Sequence, residues 1–349
     1  MKIGNYKLGT NNPPFIVAEM SGNHNQSLDM ALAIVDAVAE SGAHALKLQT
    51  FTPASMTLDI HSNEFYINDN SSLWKGNSLF SLYQKAHTPL DWHEPIMKRA
   101  KHHGLLCFST PFDEESVDFL ETLNVPAYKI ASFESIDLPL ISKVASTGKP
   151  IIISTGMASI SEIYEAVCSA RSAGCDDLAL LKCTSNYPAS PVNSNLRTIL
   201  NMRDLFNCEI GLSDHTLGMG VATAAVAYGA TIIEKHFTLS RTSGGIDSSF
   251  SLEPNEFKNL VIETRRAWEA IGKIYYGPTE DELSSVKRRR SLYIAEDIKA
   301  GDLLTKENLR RIRPGYGLPP KYYDLFLGKR VLKDIKKGTP VTWDLLLNT

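Results

Sequence analysis

Eight short β-branched or aliphatic runs punctuate the first three quarters of the chain. They are Phe15 to Glu19 (FIVAE), Ala45 to Thr50 (ALKLQT), Leu105 to Thr110 (LLCFST), Ala127 to Ser132 (AYKIAS), Pro150 to Thr155 (PIIIST), Leu178 to Cys183 (LALLKC), Cys208 to Asp214 (CEIGLSD) and Thr231 to Phe237 (TIIEKHF). Turn residues bound each run, which reads as a buried strand. Most are separated by stretches of helical period, such as Leu28, Ala31, Leu32, Val35, Val38, Ala39 or Ile163, Ala166, Val167, Ala170. Parallel strands need crossovers of a dozen or more residues, so the alternation predicts an all-parallel sheet covered by helices. Eight repeats favour a closed (β/α)8 TIM barrel over an open doubly wound sheet. Polar groups end nearly every run, whereas an open sheet would gather them at one switch point.

The last barrel helix is expected through Phe257, Leu260, Val261, Thr264 and Trp268, stopping near Gly272. This places a barrel domain over 1–275, a linker at Tyr276 to Lys287 and a second unit over 288–349. In that unit EDIKAGDLLT (296–305) is echoed by KDIKKGTPVT (333–342). Two DIKxG turns predict a small, mostly β unit with internal pseudo-symmetry, too small for a deep site of its own.

At 349 residues, 43% hydrophobic and 21% charged, the composition is that of an ordinary globular protein. A formal net charge of -3 argues against a general nucleic-acid or membrane-surface binder. The run Lys287 to Arg290 (KRRR) is accordingly read as a solvated linker. No apolar run reaches the ~20 residues a membrane span needs, and MKIGNYKLGTNNPP lacks a secretory core, so a cytosolic chain is expected. Five cysteines without CxxC spacing (Cys107, Cys168, Cys175, Cys183, Cys208) read as buried reduced thiols, with a ligand or reactive role for Cys183 as the alternative.

The strand ends carry the candidate chemistry. His215 (SDHT) and His236 (EKHF) close the seventh and eighth runs. Neighbouring strands lie ~4.8 Å apart, so these imidazoles can share one ion. Two histidines are too few for a closed zinc site, leaving positions for water or substrate around Mn2+, Mg2+ or Co2+. A histidine taken singly is more often a satisfied structural residue; the matched pair on adjacent strands is what points to a metal. Lys47 and Lys129 lie on the second and fourth runs, where a buried ammonium must meet an anion or lose its proton. Hydroxyls at matching levels (Ser109, Thr110, Ser132, Ser154, Thr155, Thr184, Ser185 and Ser213) would complete a phosphate or carboxylate cradle, or else cap the following helices. A Schiff base on one lysine is a rival reading. Glu19 and Glu134 could move protons, or simply pair with Lys47 or Lys129. Asn23, His24 and Asn25 could line the mouth or organise a turn, and Ser243 to Asp247 reads as a loop able to close over it.

Taken in order, AEMSGNHN, KLQT, FSTPFD, YKIAS, STGM, CTSNYP, GLSDHTLG, EKHF and SLEP resemble the sialic acid synthase family over the whole chain. The stretch from RRSLYIAEDIKAG to KDIKKGTPVTWDLL resembles the antifreeze-like SAF domain appended to that family's barrel. The resemblance implies condensation of phosphoenolpyruvate with an open-chain amino-sugar aldehyde, giving a 2-keto sugar acid and phosphate. It implies a metal on His215 and His236. It assigns phosphoenolpyruvate to Lys47, Thr110, Lys129, Ser132, Ser154 and Ser213, with Ser185 or Asn186 assisting. Tyr187 and Asp247 would contact the sugar, and Glu19 and Glu134 are the acid/base candidates. It further implies a domain-swapped homodimer in which Arg313 reaches the partner's barrel and binds an acetamido group. Asn23-His24-Asn25-Gln26 in place of NHNG, Gly244-Gly245-Ile246-Asp247 in place of a PGPD-like loop, and Ser185 where an asparagine is common argue against N-acetylmannosamine. SGNHNQS, SLWKG (72–76), GGIDSSFSLEP and RIRPGYGLPPKY resemble instead a branch acting on 2,4-diacetamido-2,4,6-trideoxy-L-altrose, whose 6-deoxy end could meet Phe133 and Phe250. A synthase for neuraminic or legionaminic acid, or a non-catalytic sugar binder, are the alternatives.

Overall fold

The eight apolar runs fold as parallel strands β1 (Phe15–Glu19), β2 (Ala45–Thr50), β3 (Leu106–Pro111), β4 (Tyr128–Ile130), β5 (Ile151–Ser154), β6 (Leu178–Cys183), β7 (Glu209–Asp214) and β8 (Ile232–His236). They close in sequence order, with β8 hydrogen-bonded beside β1, as a TIM barrel. The structure is a computed structural model describing residues 1–69 and 72–345. The final leucine of the SAF-like motif and the last residues of the expected second unit lie outside the described residues.

Runs such as Ile151, Ile152 and Ile153 are fully buried because one face fills the barrel and the other meets the helical layer. Helix Leu28–Glu40 starts where the Ser27 hydroxyl accepts the Met30 amide, and buries Ala31, Ile34, Val35 and Val38. Helix Ile160–Ser172 starts on a Ser159–Glu162 capping box and buries Ile163, Ala166, Val167 and Ala170. The helix Pro254–Ile271 ends at Gly272, whose φ of 52° suits glycine. Inside β7, Gly211 permits close packing: a Cβ there would meet the Ile232 carbonyl oxygen at 2.4 Å and the Leu181 side chain at 2.6 Å.

Contacts divide the chain into Met1–Gly272 and a second unit from Lys273. In the second unit, β9 (Ser291–Ile294) pairs antiparallel with β10 (Leu309–Ile312), over a core including Leu292, Ile298, Phe326, Ile335 and Val341. Its two DIKxG turns face each other. Ile298 and Ile335 exchange backbone hydrogen bonds (3.0 and 2.9 Å), while Lys299 pairs with Asp334 (2.6 Å) and Lys336 with Asp297 (2.7 Å). These ion pairs are exposed and contribute little, so the apolar core holds the halves together. Lys287 to Arg290 are exposed. Among the described residues, no helix is long and apolar enough to cross a membrane.

Candidate active site

At the carboxyl ends of β7 and β8 the alternation of strand faces sorts the side chains. Ser213, His215, Glu234 and His236 share one face, Asp214 and Lys235 the other. The His215 and His236 rings lie 5.3 Å apart, tilted by 59°. His215 Nδ1 lies 3.0 Å from the Thr184 carbonyl oxygen; donation there leaves Nε2 with its lone pair free. His236 Nδ1 is buried without a hydrogen-bond partner among the described residues, 3.7 Å from Asp247 Oδ2. Burial, then the neighbouring cations, hold His236 well below the usual imidazole range, so it stays neutral. Two imidazoles so spaced, one of them with a buried nitrogen lacking a partner, are a donor pair that suits a divalent cation. No cluster of three or more metal-ligating side chains occurs among the described residues. On the opposite face, Lys235 Nζ pairs with Asp214 Oδ2 at 2.7 Å and donates to the Thr216 carbonyl, both side chains fully buried.

Lys47 and Lys129 both point inward and are buried. Lys47 Nζ contacts the Glu19 carboxylate and donates to Thr110 Oγ1 (3.2 Å); Lys129 Nζ donates to Ser154 Oγ (2.7 Å) and the Ile130 carbonyl (3.2 Å). Between them stands Glu234, a residue the sequence reading passed over. Its Oε1 lies 3.8 Å from Lys47 and 3.6 Å from Lys129 and accepts the Ser213 hydroxyl at 3.1 Å. The signal was there, since Glu234 precedes His236 by two residues and so faces the same way. Burial raises the Glu234 carboxyl, but the two lysines outweigh it and keep it ionised. Ser132 Oγ accepts the Gly156 amide at 3.1 Å, and a Cβ on Gly156 would collide with the Ser185 and Ser132 hydroxyls, so glycine lets the backbone approach the cradle. None of the strand-end hydroxyls caps a helix; those caps are Asp113, Asp137 and Ser159, further on.

The two candidate acids differ. Glu19 is buried against Lys47, so the ion-pair reading holds for its geometry; burial outweighs the lysines and pushes its carboxyl up to about 7. Burial also pushes Glu134 up to about 7, and its Oε2 has no hydrogen-bond partner among the described residues. The Cys183 thiol is raised by burial, but His215, Ser132 and Lys129 outweigh this and bring it to about 7; its Sγ lies 3.8 Å from His215 Nδ1. All five cysteines are free, with Cys168 and Cys208 only half-buried.

Around the histidine pair, the Tyr187 ring is 4.4 Å from His215 and 5.3 Å from Phe250, and Phe250 packs 4.9 Å from His236. Phe133 is not part of this ring cluster: it is 58% exposed and lines a hollow of about 500 Å3 with Phe112, Glu134 and Ile136. Asp247 is buried, accepts the Ser21 hydroxyl and donates its amide to Asn23 Oδ1 (3.2 Å). Asn23 also donates to the Phe237 carbonyl (2.8 Å) and Ser251 Oγ (2.9 Å), so it ties the β1 loop to the β8 loop. His24 is buried beside Thr88 and Trp92, and Asn25 donates to the Ser243 carbonyl (2.9 Å). Asn186 is exposed at the rim, and Arg313 is exposed on the second unit.

Residues 34–276 match the NeuB family and residues 289–347 the SAF domain. The chain is 43% identical to pseudaminic acid synthase of Campylobacter jejuni subsp. jejuni serotype O:2, covering 97% of each protein. It is 36% identical to N,N'-diacetyllegionaminic acid synthase of Legionella pneumophila, covering 95% of this chain and 94% of that one. Among solved structures, N-acetylneuraminic acid synthetase of Leptospira borgpetersenii in complex with citrate superposes with a TM-score of 0.73 at 33% identity, over 82% of this chain and 94% of that one.

Proposed function

The chain belongs to the NeuB family and carries a SAF domain, and from that premise we propose that it acts as a pseudaminic acid synthase, condensing phosphoenolpyruvate with 2,4-diacetamido-2,4,6-trideoxy-L-altrose. One observation carries the chemistry: two imidazoles 5.3 Å apart stand beside two buried ammonium groups that share the Glu234 carboxylate. Lys47, Thr110, Lys129, Ser132, Ser154, Ser185 and Ser213 hold the phosphate and carboxylate of phosphoenolpyruvate, with Asn186 at the rim. Tyr187 and Asp247 orient the sugar. A divalent cation on His215 and His236 would polarise the aldehyde carbonyl as a Lewis acid. The methylene carbon of phosphoenolpyruvate forms the new bond to the aldehyde carbon, whose oxygen gains a proton. Water adds to the cationic C2 and gives up a proton, and the C–O bond to phosphate breaks. Glu19 and Glu134 would carry these protons, a reading supported by burial pushing both carboxyls up to about 7. The Schiff-base route is disfavoured because both lysines are already bonded to carboxylate or hydroxyl partners.

The same proposal includes a homodimer in which Arg313 serves the partner's barrel, supported here by that side chain's exposure. The test is phosphate release from phosphoenolpyruvate by the metal-loaded protein with three sugars. Release is expected with the 6-deoxy diacetamido altrose and not with N-acetylmannosamine or the legionaminate precursor. Turnover of N-acetylmannosamine alone would overturn the assignment.

A further inference from the structure

Between β2 and the helix Leu90–His102 the chain makes a long excursion that contributes no strand to the barrel. One of its side chains returns to the metal-binding end. Trp74 Nε1 donates to the Ile246 carbonyl at 3.2 Å, and its ring lies 5.7 Å from that of Tyr187. Because Tyr187 is itself 4.4 Å from His215, three rings step outward from the histidine pair: His215, Tyr187, Trp74. Trp74 stays half-buried, so part of its indole is left for something other than protein.

We propose that Trp74 is a specificity-determining residue, its indole face receiving the C6 end of the sugar and favouring a methyl group there over a hydroxymethyl group. The inference rests on the reaction proposed above. An extended six-carbon aldehyde spans about 6 Å from C1 to C6. Trp74 is two ring-to-ring steps of 4.4 and 5.7 Å from His215, so a chain with C1 at the histidine pair that runs along Tyr187 brings its C6 end toward the Trp74 ring. Trp74 has one hydrogen-bond donor, and the Ile246 carbonyl takes it, so the indole face offers a C6 hydroxyl no partner. A methyl group loses nothing against such a face, whereas a hydroxyl loses its water there without replacement. Of the two phenylalanines expected from the sequence, Phe250 is 1% exposed and offers a ligand little surface, and Phe133 lies beside Glu134 outside the Tyr187 ring cluster. Asp247, next in sequence to the anchoring Ile246 and holding the Ser21 hydroxyl, would orient the sugar's polar groups from the same loop.

The experiment compares kcat/KM for 2,4-diacetamido-2,4,6-trideoxy-L-altrose and for the same hexose bearing a 6-hydroxyl, in the wild-type protein, Trp74→Ala and Trp74→Phe. The wild type should prefer the 6-deoxy sugar, and Trp74→Ala should lower that preference by about tenfold, the scale of one group in an apolar pocket. Trp74→Phe should recover most of the preference, and the KM for phosphoenolpyruvate should stay unchanged in both variants. An unaltered ratio in Trp74→Ala overturns the inference. So does an equal loss for both hexoses with a raised phosphoenolpyruvate KM, the mark of a merely structural wall. A wild-type protein that releases no phosphate with the 6-deoxy hexose overturns the proposed reaction itself, a result distinct from either variant outcome.

Discussion

Glu234 brings two costly ammonium groups into a dry barrel by standing between them, 3.8 Å from Lys47 and 3.6 Å from Lys129. Replacing it with Gln leaves two buried charges with less compensation, at a cost of about 3 kcal/mol. Phosphoenolpyruvate would then supply the missing negative charge. In thermal melts, Glu234→Gln should unfold earlier than wild type, yet gain more from added phosphoenolpyruvate; an equal gain in both proteins refutes the shared-charge account. Glu134 shows the converse bargain. Burial lifts its carboxyl from about 4.5 to about 7, so the folded protein loses stability as pH rises across that interval and the group ionises. Glu134→Gln should therefore be more stable than wild type at pH 8 and little different at pH 4, while kcat falls about a hundredfold. Denaturant melts at the two pH values, with phosphate-release assays, check both signs. His215, His236, Lys47 and Lys129 were legible in the sequence because each sits at or near the end of an apolar run, where a polar group needs a reason. Trp74 was not legible as a site residue, nor was the Ser21 to Asp247 bond, because their partners lie 172 and 226 residues away.

The ends of β7 and β8 carry the histidines inward and an ion pair outward, so the Lys235 to Asp214 contact fixes the register of the two ends bearing the imidazoles proposed to share an ion. Lys235→Met should cost about 3–5 kcal/mol, because it leaves Asp214 buried without its partner, and pairing it with Asp214→Leu should return much of that loss. Urea denaturation measures the stability, and Mn2+ binding followed by electron paramagnetic resonance should weaken in the single variant. If affinity for Mn2+ is untouched, the pair serves the fold alone. The strands themselves were visible as β-branched runs between turn residues, and their observed limits lie close to those expected. The fourth is the exception, shortened to Tyr128–Ile130 because Phe133–Ile136 winds into a 3-10 turn straight after it. In the excursion after β2, Leu79, Leu82, Tyr83 and Ala86 have helical spacing over a single short helix, and neither Pro53–Met56 nor Leu79–Ala86 buries a residue fully.

The net charge of -3 conceals an uneven division: residues 1–272 hold 20 Lys and Arg against 29 Asp and Glu, and residues 273–349 hold 16 against 10. If the second unit of one copy serves the barrel of another, as proposed, opposite charge favours that association at low salt and loses range as the screening length falls to about 3 Å at 1 M. Sedimentation from 0.05 to 1 M NaCl should show the dimer weakening; a dimer indifferent to salt would mean that apolar contact alone holds it. Closure of the barrel carries a further consequence. Phe15 finds its neighbour only in Ile232, and β1 has no second partner until β8 exists. A ribosome adding 5–20 residues each second needs roughly 10–40 s to traverse that interval. Throughout it the nascent sheet keeps two open edges, and the strand that finally closes it is the one that brings the second imidazole, so no fragment ending short of β8 can possess catalytic competence.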